Sequence, residues 1–183
     1  MLILGSASPR RKELLESAGI DFRLIPSDFD ESSIEVTKDV EGYVKVVAQA
    51  KAYSLLKLYP NHTILTADTI VTIDNIVLGK PKDFDEAVSM LERLSGKTHK
   101  VYTAVCIIND EKEELFVESA SVTFKKLSLF DIKMYCQTNE PMDKAGAYAI
   151  QGEGSKFIDK YEGDFHTIMG LPLKEVINKL NKF

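Results

Sequence analysis

The sequence predicts a mixed α/β protein: a twisted sheet flanked by helices. Three observations lead there. Long runs rich in β-branched and apolar residues recur at 63–73, 101–108 and 115–126, as half-buried and buried strands require. Between them, apolar residues fall at helical spacing, most clearly Val40, Tyr43, Val44, Val47, Ala48 and Leu55. Strand and helix signals then alternate through 183 residues with no internal repeat, low-complexity tract or Gly/Ser/Pro linker. That pattern suits a single domain over 1–183, with two lobes sharing a sheet.

The elements follow in order. Leu2-Ile3-Leu4 is a short buried strand, and Gly5-Ser6-Ala7 a small-residue turn. Ser8 is placed to cap a helix over 9–18, with Pro9 at its first position and Gly19 closing it. A short strand over 22–26 and an acidic loop over 27–33 lead to a long helix over 39–58. The run 63–73 is a strand, and Asp74-Asn75 turns it into a partner strand at 76–78. Asp83 with Glu86 forms a capping pair for a helix ending near Gly96. The strands 101–108 and 115–126 are joined by the charged turn Asn109-Asp110-Glu111-Lys112. Ser128 with Asp131 caps a helix that stops before Pro141. A Gly-rich segment, a strand near 156–161 and a last helix over 173–180 complete the chain.

Composition removes several function classes. A net charge of −5 argues against a nucleic-acid binder that relies on backbone phosphates, while leaving room for a small polyanion in a local basic pocket. No apolar run approaches the roughly 20 residues of a membrane span, and no signal peptide is visible, so the expectation is a cytoplasmic protein. Cys106 and Cys136 lack metal-like or redox-like neighbours and read as buried thiols. His62, His99 and His166 are scattered, which suggests neither a metal triad nor a Ser-His-Asp arrangement.

Four clusters carry charge in places where folding alone would not put it. Arg10 and Arg11 lie in the first turn of the predicted 9–18 helix, beside unpaired N–H groups and the positive end of its dipole, at a cost of roughly 0.3–1 kcal/mol per charge. They are either solvated surface charges or the cationic part of a phosphate site. Lys51 falls on the buried stripe of the long helix and either snorkels outward or meets an anion. Asp68 interrupts an apolar strand, where a carboxylate needs a partner, a metal or a raised pKa. Extending the Asp74-Asn75 hairpin places Lys80 of Gly79-Lys80-Pro81 opposite Thr69 and hence close to Asp68, although strict alternation leaves its face open. The fourth cluster, Asp143-Lys144-Ala145-Gly146-Ala147-Tyr148-Ala149-Ile150-Gln151-Gly152, is either a tightly packed loop or a place where a ligand approaches the backbone. A glutamine there can donate and accept at once, as a base edge requires.

Together the segments Ser6-Ala7-Ser8-Pro9-Arg10-Arg11, Glu31, Lys51-Ala52, Ala67-Asp68-Thr69, Gly79-Lys80-Pro81, Ser95-Gly96-Lys97-Thr98-His99 and Asp143-Lys144-Ala145-Gly146-Ala147-Tyr148 closely resemble the Maf family of nucleoside triphosphate pyrophosphatases. The likeness runs in order and spacing through nearly the whole chain. It implies an elongated fold like that of the inosine triphosphate pyrophosphatases, with a central cleft between two lobes. It also implies hydrolysis of a nucleoside triphosphate to the monophosphate and pyrophosphate with a divalent cation, Mg²⁺ or Mn²⁺, and a possible homodimer. An arginine, a threonine and a glutamine mark the branch acting on dTTP and UTP; their counterparts are Arg10, Thr69 and Gln151.

On that resemblance, Asp68, Lys51 and Lys80 form the catalytic set, and Ser8, Arg10, Arg11, Thr69, Lys144 and Gln151 bind substrate. Glu31 and Asp68 hold the metal through oxygens, as hard cations prefer. Removing Arg11, Lys51 or Lys80 is then expected to hurt turnover while leaving stability similar or slightly higher. The alternatives are a phosphohydrolase releasing orthophosphate from the same pocket, and a non-catalytic nucleotide-binding regulator of cell division.

Overall fold

The computed structural model describes residues 1–183. Strands β1 (Leu2–Leu4), β2 (Arg23–Leu24), β3 (Thr63–Ile73), β4 (Ile76–Leu78), β5 (Thr98–Ile108), β6 (Glu113–Phe124) and β7 (Ile158–Glu162) form one sheet in the order β2-β1-β3-β5-β6-β7, with β4 paired to β3. Helices α1 (Pro9–Ser17), α2 (Val40–Leu58), α3 (Phe84–Leu94), α4 (Leu129–Cys136), α5 (Phe165–Met169) and α6 (Leu173–Leu180) complete it. β1 runs parallel to both β2 and β3, and β6 pairs antiparallel with β7. No helix is long and apolar enough to cross a membrane.

The chain divides into two compact units. The first holds Met1–Thr69, Thr103–Glu118 and Gly170–Phe183. Its core includes Ile3 and Leu4 of β1, Leu14 and Leu15 of α1, and Ile64 and Leu65 of β3. Val44, Val47, Ala48, Ala52 and Leu55 of α2 add to it, matching most of the apolar stripe read from the sequence. The turn after β1 passes so close to its neighbours that a Cβ at Gly5 would lie 2.5 Å from Leu55 Cδ1 and 2.7 Å from Thr66 Cγ2, so only glycine fits. α2 begins at Asp39, whose carboxylate accepts from Gly42 N at 3.0 Å.

The second unit holds Ile70–Tyr102 and Ser119–Met169. Its core gathers Val71 and Ile73, Leu91 and Leu94 of α3, Val122 and Phe124 of β6, Ile132 and Tyr135 of α4, and Tyr148 and Phe157. The hairpin has the expected register, Ile73 opposite Ile76 and Val71 opposite Leu78. Asp74 and Asn75 both take positive φ, 51° and 62°, as a turn matching the strand twist demands. The ladder stops at Leu78, so the expected Thr69–Lys80 pairing is not made. Gly79 turns its carbonyl to the Gly146 N–H at 3.1 Å instead, and Lys80 is exposed. The expected 22–26 strand is only two residues long, and α5 went unread because Gly163-Asp164 looks like plain loop.

Cys106 and Cys136 are free and buried, as expected. Burial pushes their thiols up to about 12 and about 11, which leaves them unreactive at neutral pH.

Candidate active site

The face of β3 carrying Thr66 and Asp68 meets the face of α2 carrying Ala48 and Lys51, because residues two apart on a strand and three apart on a helix point the same way. Thr66 Oγ1 donates to the Ala48 carbonyl at 2.6 Å. One step further along both elements, Lys51 Nζ donates to Asp68 Oδ1 at 2.9 Å. The two sequence anomalies are therefore one contact. Lys51 does not snorkel outward; each residue is only 8% exposed.

Lys51 has a second carboxylate. Glu31 Oε1 lies 2.8 Å from the same Nζ, with the Glu31 side chain 47% exposed. Glu31 opens a short 3₁₀ turn, Glu31–Ser33, which Asp30 caps by accepting from Ser32 N at 3.0 Å. Two carboxylates thus converge on one ammonium, one buried in the sheet and one reaching in from solvent.

Burial is the largest influence on Asp68 and raises its pKa above the usual carboxylate value; Glu31 adds to the rise, while Lys51 and Arg11 oppose it. The pKa of Tyr43, about two turns before Lys51 on α2, is raised by burial and then by the charges of Asp68 and Glu31. An aspartate held in this way is firmly oriented, and a stronger base than a solvated one.

Arg11 is placed differently from the sequence expectation. Its Nε donates to the Gly170 carbonyl at 2.7 Å, and Nη1 donates to the Ala67 carbonyl at 3.0 Å and Ser6 Oγ at 3.2 Å. Nη2 donates to Thr69 Oγ1 at 3.0 Å. Four of the five guanidinium N–H groups are thereby committed to the protein. Burial, its largest influence, lowers the Arg11 pKa, with Asp68 pulling the other way. Arg11 is a strut that ties α1, β3 and the turn before α6 together while adding positive charge beside Asp68. The expectation that it could be removed without loss of stability does not fit these bonds.

Thr69 shares its hydroxyl with Thr103 Oγ1 at 2.9 Å as well as Arg11. Ser8 occupies the position before α1, yet its side chain makes no capping bond, and its N–H donates to Ser6 Oγ at 3.2 Å. The hydroxyl expected to cap α1 is thus not used for that purpose. Arg10, half-buried, follows Pro9 in the first turn. The first unit therefore bonds Glu31, Lys51 and Asp68 into one set and Arg11 and Thr69 into another, and the charges of Asp68 and Arg11 act on each other between them. Ser6 and Thr103 are bonded to the second set, and Tyr43 feels the charges of Asp68 and Glu31 in the first. Ser6 lies in the motif Ser6-Ala7-Ser8-Pro9-Arg10-Arg11, and the two others carry no sequence signal beyond their positions on α2 and β5.

The remaining expected residues lie in the second unit. Lys144 is mostly buried at its head, with Nζ donating to Asp143 Oδ1 at 2.6 Å and to the Glu140 carbonyl at 3.1 Å. Gln151 and Lys80 are exposed. The loop is anchored beneath by Tyr148, whose hydroxyl lies 2.6 Å from His99 Nε2. Ala147 is held at φ 63°, a conformation that costs a residue with a side chain roughly 1–3 kcal/mol.

Across its whole length, residues 1–183, the sequence matches the profile of the family described as Maf-like protein. The chain belongs to the Maf family. Among the relatives of this Maf protein, the dTTP/UTP pyrophosphatase of Acholeplasma laidlawii is 62% identical over 183 residues, covering 100% of this chain and 96% of the relative. The dTTP/UTP pyrophosphatase of Bacillus cereus strain G9842 is 44% identical over 182 residues, covering 100% and 95%. Two solved structures share its fold at low identity. The Staphylococcus aureus Ham1 protein aligns with a TM-score of 0.51 at 13% identity, covering 97% of this chain and 98% of the other. A HAM1 protein from Coxiella burnetii aligns at 0.51 and 12% identity, covering 100% and 98%. The mixed α/β architecture read from the sequence is thus the Ham1-like fold.

Proposed function

We infer that this Maf protein is a nucleoside triphosphate pyrophosphatase that hydrolyses dTTP and UTP to the monophosphate and pyrophosphate. The observation that carries the reading is a strand aspartate gripped by a helix lysine, in a chain 62% identical to a dTTP/UTP pyrophosphatase. A structural ion pair is seldom worth burying, since desolvation consumes most of the attraction. A base that must be oriented and kept anionic beside a polyanion justifies it.

In this mechanism Asp68 accepts a proton from water as the water oxygen bonds to the α-phosphorus. The bond between that phosphorus and the bridging oxygen breaks, and pyrophosphate leaves. Lys51 fixes the Asp68 carboxylate and compensates the charge that would otherwise repel the phosphates. Lys80, an exposed cation, completes the proposed catalytic set. Arg10, Ser8 and Thr69 are assigned to substrate binding in the first unit, and Lys144 and Gln151 in the second. Arg11 contributes through its charge and its one uncommitted N–H.

The donor set suits a hard divalent ion. Glu31 and Asp68 offer oxygens that already converge on one cation, and Mg²⁺ commonly takes one or two carboxylates, with water and phosphate oxygens filling the rest. These two residues would hold it, and bound there it would polarise phosphate oxygens and offset their charge. The test is a panel of common and modified triphosphates assayed with Mg²⁺ and with Mn²⁺, identifying both products. The reading expects UTP and dTTP to turn over at least ~10-fold better than CTP, ATP or GTP, with pyrophosphate released. Orthophosphate as the primary product, or preference for a purine, would overturn it.

A further inference from the structure

Glu140 lies outside every motif that singled out this chain, yet it closes the loop that carries Lys144 and Gln151. Its Oε1 accepts from Glu153 N at 3.1 Å, and its Oε2 accepts from Gly154 N at 2.9 Å and from the hydroxyl of buried Tyr135. Its own carbonyl accepts from Lys144 Nζ. Tyr135 is tied to the loop in turn, since its oxygen also accepts from Ala149 N at 3.3 Å. One half-buried carboxylate therefore joins the start of the segment 140–154 to its end, and the same residue fixes the lysine within it.

Gly152 shows how tight the closure is. It sits directly after Gln151 at φ 86°, and a Cβ added there would run into Glu140 Oε1. Glycine is required both for the backbone conformation and for the carboxylate to reach the two N–H groups. Three donors converge on one carboxylate, and charge-assisted bonds of this kind fix position as well as energy.

We propose that Glu140 is a positioning residue for pyrimidine selectivity: its carboxylate clasps the loop so that the Gln151 amide is presented in one orientation. The proposal rests on the reading of Gln151 as the group that pairs with the base. A glutamine on an open loop would rotate or shift to suit either uracil or cytosine. A clasped loop fixes the backbone from which the Gln151 amide reaches, which limits how far the amide can shift to suit the wrong base.

The test compares kcat/KM for UTP and CTP in wild type, Glu140→Gln, Tyr135→Phe and Gln151→Ala, with thermal unfolding of each. Glu140→Gln replaces one acceptor by an NH₂ that faces the Glu153 N–H. Tyr135→Phe keeps the ring and removes the hydroxyl that joins Glu140 to Ala149. Both should lower the UTP-to-CTP ratio at least about threefold, less than the full effect of one mismatched hydrogen bond. The loss should appear mainly in KM for UTP, and kcat should stay within about twofold because neither residue touches the reacting phosphate. Gln151→Ala should lower the ratio at least as far, and adding Glu140→Gln to it should change the ratio no further. If Gln151→Ala lowers the ratio and neither clasp variant does, the clasp proposal falls and the base reading stands. If Gln151→Ala leaves the ratio unchanged, the reading of Gln151 falls and the proposal with it. Should Glu140→Gln fail to fold, Tyr135→Phe alone decides between these outcomes.

Discussion

Replacing Arg11 with methionine keeps an unbranched side chain and removes the guanidinium, which separates two roles that a sequence cannot separate. Four acceptors lose their donor: the carbonyls of Gly170 and Ala67, and the hydroxyls of Ser6 and Thr69. A hydrogen bond from a charged donor contributes about 1.5–3 kcal/mol, so four summed naively reach about 6–12. Much of that is offset. The guanidinium no longer has to be desolvated, water can reach some acceptors at this half-buried position, the two hydroxyls retain other partners, and a cation leaves the N-terminal end of α1, worth about 0.3–1 kcal/mol. The net expectation is a loss of about 2–3 kcal/mol. For a chain of this size that lowers the melting temperature by about 4–12 °C at roughly 2–4 °C per kcal/mol. Differential scanning calorimetry or thermal circular dichroism without substrate reads it directly. An unchanged or raised melting temperature, together with lost turnover, would refute the strut and return Arg11 to a purely substrate-binding role.

Other outcomes follow from the same geometry. Asp68→Asn should keep the fold and lower kcat at least ~10²-fold, the lower range for a positioned acid–base group; near-normal turnover by the folded variant would remove Asp68 from the chemistry. Because burial raises the Asp68 pKa and the reaction needs the anion, the acid limb of kcat/KM should lie above the usual carboxylate value of 3.8. Lys51→Met, which deprives Asp68 of its compensating cation, should move that limb further toward neutrality in a pH–rate profile. His99, whose ring is 2% exposed and whose pKa burial lowers to about 4, binds its proton more weakly in the folded state than in the unfolded one. It therefore contributes stability at neutral pH that is lost as pH falls from about 6.5 through about 4, of order 3 kcal/mol; equilibrium unfolding across that window should show a loss larger by about that amount in wild type than in His99→Gln. Gln151→Glu should erode the preference for UTP over CTP while leaving turnover of the best substrate measurable.

Local rules made most of the fold legible. β3 and its partner were readable because β-branched residues run up to Asp74-Asn75, a dipeptide with little choice but a tight turn, and the register followed from it. The starts of α3 and α4 followed from Asp83 and Ser128, whose side chains cap as expected, and Asp39 caps α2 in the same way. The misses have physical causes. The hairpin could be extended on paper to Lys80, but Gly79 has a better acceptor arrangement with Gly146, far away in sequence. Ser8 had the right residue type for a cap, yet Ser6 and Arg11 organise that turn instead.

The site was legible as anomalies, not as contacts. Lys51 on a buried helix face and Asp68 in a buried strand each called for a partner, and only the packing of α2 on β3 shows that they answer one another. The bonds of Arg11 were hidden for the same reason. Its acceptors, Ala67, Thr69 and Gly170, lie 56, 58 and 159 residues away in sequence, and a first-turn cation looks free until they are brought to it. Glu140 gave no signal at all, since a glutamate before a proline is ordinary until its carboxylate is seen closing a loop.

The central claim is that water, oriented by Asp68, attacks the α-phosphorus. Hydrolysis of dTTP in ¹⁸O-enriched water, with mass spectrometry of both products, tests it most directly. The account predicts one ¹⁸O atom in the dTMP phosphate, unlabelled pyrophosphate, and loss of the reaction in Asp68→Asn. Label appearing in pyrophosphate, or in orthophosphate released as a primary product, would contradict it.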